Sequence, residues 1–146
     1  MALAELLGGH GRIHSVDRDE RALERQSRTM LSRFPEVSVT YHRADFTRPL
    51  DLPRLTGVVM ANSLHYSRRK EPVLELVKAY LKPGGRLVLV EYDADRGNPW
   101  VPHPISYRSW ERLSAECGFE GTRLLGRVPS SVLGAIYSAL SLRPSV

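Results

Sequence analysis

The chain lacks the means for covalent cross-linking. Cys117 is its only cysteine, so no intrachain disulfide can form. It falls in an apolar helical pattern without partner residues nearby, and reads as a small core residue. Long hydrophobic runs are missing too: none approaches the roughly 20 residues of a membrane span. No charged segment, apolar stretch and cleavage site open the chain. A soluble, cytoplasmic protein with no membrane partner is the expectation. Lysine is scarce, with Lys70, Lys78 and Lys82 the only three. The net charge of +5 comes mostly from arginines scattered from Arg12 to Arg143 and interleaved with acids. No run of five like charges occurs, which argues against a nucleic-acid partner. His10, His14 and His42 lie apart and lack ligand spacing, so no metal site is expected.

What is present suits one domain spanning residues 1–146. The apolar content of 42% and charged content of 25% are ordinary for a globular protein. Ala2–Leu7 reads as two turns of helix, capped by the glycines that follow. A helix this short is marginal alone, so it looks like the tail of a longer one. Arg12–Val16 reads as a strand ending at Asp17. Asp19 can cap a helix from about Glu20 to Phe34, with Leu23, Met30, Leu31 and Phe34 on one face. Val37–His42 is a strand ending near Asp45. Leu55–Ala61 is nearly continuous apolar sequence, as expected of a strand buried on both faces. Glu71–Leu81 is a helix with Val73, Val77, Tyr80 and Leu81 on one stripe. Lys82-Pro83-Gly84-Gly85 reads as a turn. Arg86–Tyr92 is the strongest strand pattern, and Asp93–Ile105 a long loop. Ser106 can cap a helix carrying Trp110, Leu113 and Cys117, which Gly118 ends. Phe119–Leu125 and Val132–Leu142 read as the last two strands.

Strand–helix alternation predicts an α/β fold, a doubly wound and mainly parallel sheet. The last two strands are separated by too few residues for a parallel crossover, so they should be antiparallel neighbours. In open α/β sheets ligands bind beyond the carboxyl ends of the strands. There the sequence places Asp17, then Asp45-Phe46, then Asn62-Ser63-Leu64-His65-Tyr66, then Glu91-Tyr92-Asp93.

With these elements in order, the chain resembles a class I S-adenosylmethionine-dependent methyltransferase. The most specific stretch is LTGVVMANSLHYSRRKEPVLELVKAYLKPGGRLVLVEYD, which is similar to the family's fourth strand, the helix after it, its P-G-G turn and its fifth strand. GRIHSVDRDERAL and HRADF resemble the second and third strands with their terminal acids. The resemblance implies a Rossmann-like fold with an antiparallel last strand and S-adenosylmethionine as cofactor. By the same resemblance Asp17 would accept from the ribose hydroxyls and Arg18 would lie beside the adenine. Asp45 would accept from the adenine amino group, with Phe46 next to the ring. Asn62 would sit near the methionine part. From the residues alone, Asp17 also reads as a helix-capping carboxylate, Asp45 as a turn-former before Thr47, and Asn62 as a strand-end turn residue.

One family element has no counterpart. The glycine-rich loop, acid-x-G-x-G-x-G, should follow a first strand, whereas Gly8-Gly9-His10-Gly11 precedes one. The expectation is a sheet without that first strand, a Met1 that is an internal start, and strand edges open to pairing, for instance in a homodimer. The acceptor would be a small molecule. His65, Tyr92 and His103 are the candidates for catalysis, and His65, Tyr66, Tyr92, Asn98 and Trp100 for the acceptor pocket. The alternatives are a catalytically inactive methyltransferase-like remnant acting through protein association, and a nucleotide-linked oxidoreductase, which the antiparallel last strand disfavours.

Overall fold

The alternation of strand and helix is realised across residues 1–146 of the computed structural model. The chain divides into two compact units, residues 1–50 and 51–146. No helix is long and apolar enough to cross a membrane.

The first unit holds α1 (Ala2–Leu7), β1 (Arg12–Asp17), α2 (Glu20–Arg33) and β2 (Ser38–Arg43). β1 and β2 pair in parallel from Arg12↔Ser38 to Asp17↔Arg43, and α2 is the crossover between them. The Asp19 side chain starts α2 by accepting from the Arg21 N–H at 2.9 Å. Ser15 of β1 donates to the Gln26 side chain of α2 at 2.6 Å, tying strand to helix. Ala4, Leu23 and Met30 form the buried centre. Leu31, expected on the inner face, is 70% exposed. It follows Met30 by about 100° of helical turn, which carries it off the stripe that Leu23 and Met30 define.

The second unit holds β3 (Leu55–Ala61), α3 (Glu71–Tyr80), β4 (Leu81–Tyr92), α4 (Tyr107–Glu116), β5 (Glu120–Ser130) and β6 (Gly134–Leu142). The sheet order is β3-β4-β6-β5. β3 and β4 are parallel, while β6 runs antiparallel to both β4 and β5. The final hairpin is therefore as the short connection requires. β5 runs on to Ser130 and β6 starts at Gly134, so the connection is tighter than its sequence suggests.

Two expectations change. β4 begins at Leu81 and includes the predicted turn, because Gly84 N–H donates to Arg143 O at 3.0 Å and Arg143 N–H to Gly85 O at 2.8 Å. The turn chemistry persists inside the strand: Gly84 has φ 71°, and a Cβ on Gly85 would stand 2.8 Å from Lys82 O. β3 is not buried on both faces. It pairs only with β4, and Val59 is 47% exposed. Its apolar run reflects composition rather than enclosure.

The core of this unit joins Val73, Leu74 and Val77 of α3 to Leu81, Leu87 and Leu89 of β4, Trp110 of α4 and Tyr137 and Ala139 of β6. A chain of hydroxyls crosses it: Ser114 to Thr122 and Thr122 to Ser141, each at 2.8 Å. Tyr137, 1% exposed, donates its hydroxyl to Ile105 O at 2.8 Å and so pins the end of the long loop. Burial, with the nearby Glu91 and Asp93, pushes this phenol well above the usual tyrosine range. Tyr137→Phe strands the Ile105 carbonyl and should cost about 1–2 kcal/mol in urea unfolding. Because the folded state favours the neutral phenol, the native protein should lose stability as pH rises past about 10. The Phe variant should lack that component, so parallel slopes above about pH 10 would contradict it.

Candidate active site

In the first unit the carboxyl ends of β1 and β2 bring together Asp17, Arg18, Asp45 and Phe46. Ala44 N–H donates to Asp17 O at 3.0 Å, joining the two strand ends. Asp17 is exposed, and its Oδ1 accepts from the Asp19 N–H at 2.8 Å. That bond fixes its rotamer and leaves Oδ2 open. Asp45 Oδ1 accepts from the Thr47 N–H at 2.9 Å and its hydroxyl at 2.6 Å, so Asp45 builds its own turn. These bonds hold its carboxyl below the usual range, with Arg18 and Arg48 assisting. Oδ2 of Asp45 stands 4.0 Å from Arg48 Nε and keeps its acceptor capacity. Both acids thus have a preset orientation and a carboxylate oxygen to spare, which fits a ligand with a diol and an exocyclic amine.

In the second unit the ends of β3 and β4 converge. Asn62 is exposed and holds φ 51°, a left-handed conformation that asparagine tolerates. Its N–H donates to Val90 O at 2.9 Å, so the chain turns sharply on leaving β3. A 3₁₀ turn, Leu64–Tyr66, follows directly. It carries His65 inward, to 2% exposure.

Glu91 meets it there. Leu87, Leu89 and Glu91 share one face of β4, and all three are fully buried. Glu91 Oε1 lies 2.8 Å from His65 Nδ1 and accepts from the Tyr92 N–H at 2.8 Å. Oε2 accepts from the His65 N–H at 3.1 Å. Three donors around one carboxyl are the surroundings of a carboxylate, which has only acceptors to offer. A carboxylate at Nδ1 requires the proton there, which leaves the lone pair on Nε2. The Tyr66 ring lies 4.4 Å and the Tyr92 ring 5.8 Å from the imidazole. Tyr66 is 64% exposed, so its ring forms the outer wall of this cluster.

The long loop reaches the same cluster by its backbone. His103 N–H donates to His65 O at 3.0 Å. Its far end is fastened by Asp95, which accepts from both the N–H and the hydroxyl of Ser106. Burial pushes the Asp95 carboxyl up, but those hydrogen bonds outweigh it and hold the group below the usual range. Asn98 is engaged locally: its Oδ1 accepts from Trp100 N–H and Val101 N–H. Gly97 makes that fold possible, since a Cβ there would stand 2.2 Å from Pro102 O. The turn presents Trp100 at 78% exposure while Val101 and Ile105 are buried.

Reading strand ends reaches Glu91 only as one of the triplet Glu91-Tyr92-Asp93. It sits inside β4 rather than beyond it. Its signal is the alternation Leu87, Leu89, Glu91, which places an acid at a core-facing position. Glu91→Gln would aim amide protons at a site that already holds three donors. It should lower stability by about 2–3 kcal/mol in urea unfolding. A cost below about 0.5 kcal/mol would mean the carboxylate is dispensable to the fold.

Comparison with known proteins identifies a family for the chain. Residues 1–124 match a protein family described as a methyltransferase domain. The highly reducing polyketide synthase aurA of Calcarisporium arbuscula is 32% identical over 49% of this chain, which spans 4% of that protein's length. The DszA carbon methyltransferase superimposes with TM-score 0.74 at 21% identity, over 99% of this chain and 44% of that one. The N-methyltransferase NodS of Bradyrhizobium japonicum, in complex with S-adenosyl-l-homocysteine, gives TM-score 0.69 at 18% identity, over 91% and 67% of the two chains. Those two structures share the fold, and it serves carbon and nitrogen acceptors alike. By its match over residues 1–124, the chain belongs to the methyltransferase-domain family.

Proposed function

We propose that this protein methylates a small carbon acid of the polyketide type, with His65 as the base that removes the acceptor's proton. The buried Glu91–His65 pair carries this reading. A neutral amine already holds its nucleophilic lone pair, and an ammonium can release its proton to solvent before attack. A carbon flanked by carbonyls must lose a proton to become a nucleophile. The Glu91 carboxylate orients the imidazole through Nδ1, and Nε2 takes the proton. The polyketide synthase relative and the carbon methyltransferase fold support the same acceptor class.

S-adenosylmethionine, when bound, supplies a sulfonium methyl group open to in-line displacement. Asp17 would hold the ribose hydroxyls through its open carboxylate oxygen, in an orientation that the Asp19 N–H has already set. Arg18, Asp45 and Phe46 would serve the adenine, and Asn62 the methionine part. Tyr66 and Tyr92 would flank the acceptor beside the imidazole, with Trp100 and Asn98 forming the outer loop. His103 would contribute through its backbone hold on His65. Much of the rate in such a transfer comes from alignment of the two reactants.

Two variants of the full-length protein separate these roles. The probe acceptor is acetoacetyl-N-acetylcysteamine, a 3-oxoacyl thioester with an acidic methylene. His65→Ala should lower methyl transfer by about 10²–10³-fold and leave cofactor affinity within about twofold. Asp17→Ala should weaken S-adenosylmethionine binding, measured calorimetrically, by about tenfold or more. Transfer by His65→Ala at the native rate would dismiss the base. Unchanged binding by Asp17→Ala would dismiss the ribose contact.

A further inference from the structure

A second charged group is buried beside the Glu91–His65 pair, and the reaction as proposed leaves it unused. Lys70 is 7% exposed. Its Nζ donates to Ser67 O at 2.8 Å and to His103 O at 2.7 Å. Both acceptors are backbone carbonyls, and no carboxylate lies in ion-pair contact with it. An ordinary lysine at a helix start keeps its ammonium in water. This one gives up hydration for two neutral acceptors. Burial lowers its pKa, opposed by the negative charges of Glu91 and Glu71.

Its partners show what the ammonium gains. Ser67 lies two residues after His65, on the exit of the same 3₁₀ turn. His103 is gripped from both sides: its N–H donates to His65 O, and its own carbonyl accepts from Lys70. Three hydrogen bonds therefore join the His65 turn, the start of α3 and the long loop. Glu91 from β4 is the charge in contact with the imidazole, and Lys70 from the start of α3 interacts electrostatically with Glu91 and Glu71. Tyr66 from the turn and Tyr92 from β4 are the titratable rings in contact.

We propose that Lys70 is a positioning residue for the Glu91–His65 pair. Its ammonium locks the His65 turn to the His103 loop, and its charge offsets Glu91 so that the imidazole Nε2 stays free to accept a proton. This rests on His65 being the base. A neutral side chain at position 70 would leave Glu91 uncompensated, favour the imidazolium and close Nε2. The acidic limb of the pH–rate profile would then move to higher pH.

The test uses the full-length protein and hydrogen–deuterium exchange at the methylene of acetoacetyl-N-acetylcysteamine. That exchange needs the base alone and no cofactor. Lys70→Met should slow enzyme-catalysed exchange by about tenfold and raise the acidic limb by about half a pH unit, with KM within about threefold of native. Lys70→Arg, which keeps the charge and the donors, should hold the limb and at least about a third of the rate. If Lys70→Met exchanges at the native rate with an unmoved limb while His65→Ala is inactive, Lys70 has no such role and the base survives. If His65→Ala itself exchanges normally, the base reading falls and this proposal with it. Should Lys70→Met fail to fold, Lys70→Arg decides, and a folded Arg variant with a displaced limb overturns the proposal.

Discussion

A carboxyl group with no access to water must receive all its hydrogen bonds from the protein, and Glu91 is such a group. Its side chain lies on the face of β4 that Leu87 and Leu89 commit to the core. Burying it is tolerable only if donors are delivered to it, and the fold delivers three. Two of those donors belong to His65, so the turn after β3 has to fold inward. That inward turn is what brings an imidazole to the strand ends at all. The left-handed Asn62, the 3₁₀ turn and the His103 backbone contact all follow from supplying one acid. The requirement is steric and electrostatic at once, because a residue without acceptors would leave the His65 and Tyr92 amides stranded.

The two units use their strand ends differently. In the first, Asp17 and Asp45 are held by N–H groups two residues ahead, and each keeps an oxygen for an outside donor. They are suited to recognising hydroxyl and amino groups, where one hydrogen bond more or less adjusts affinity. In the second, His65 and Glu91 have spent nearly all their polar capacity on each other. Only Nε2 is left over, which suits a proton acceptor rather than a recognition contact. Asp17 thus lies exposed, whereas Glu91 and His65 are buried.

Much of this was legible in the sequence. Alternating strand and helix patterns account for the parallel pairs β1–β2 and β3–β4, and the six-residue gap before the last strand for its antiparallel pairing. Most element limits shifted by a residue or two, as caps and fraying allow, but β4 starts five residues before its expected Arg86 and β5 ends five residues after its expected Leu125. The run from Leu55 to Ala61 looks enclosed, yet period-free apolar sequence does not reveal how many neighbours a strand has. Leu31 is apolar and helical but lies about one residue's rotation outside its stripe. In the sequence Glu91 reads only as one polar residue in a strand-end triplet. The fact that matters, its complete burial against His65, depends on a contact across 26 positions in sequence. Lys70 likewise reads as one more cation in Ser67-Arg68-Arg69-Lys70, and only the fold separates it from its exposed neighbours Arg68 and Arg69.

The unshared edge of β3 has a practical meaning beyond architecture. Seven residues, Leu55–Ala61, carry only one charge-free apolar run and hydrogen-bond to a strand on one side alone. The other side offers amides and carbonyls in the spacing another extended chain can match. No lysine or proline interrupts the strand, and its one register irregularity lies at its start, between Leu55 and Gly57. An unshared apolar edge of this kind is a hazard during refolding, when another extended segment can pair with it.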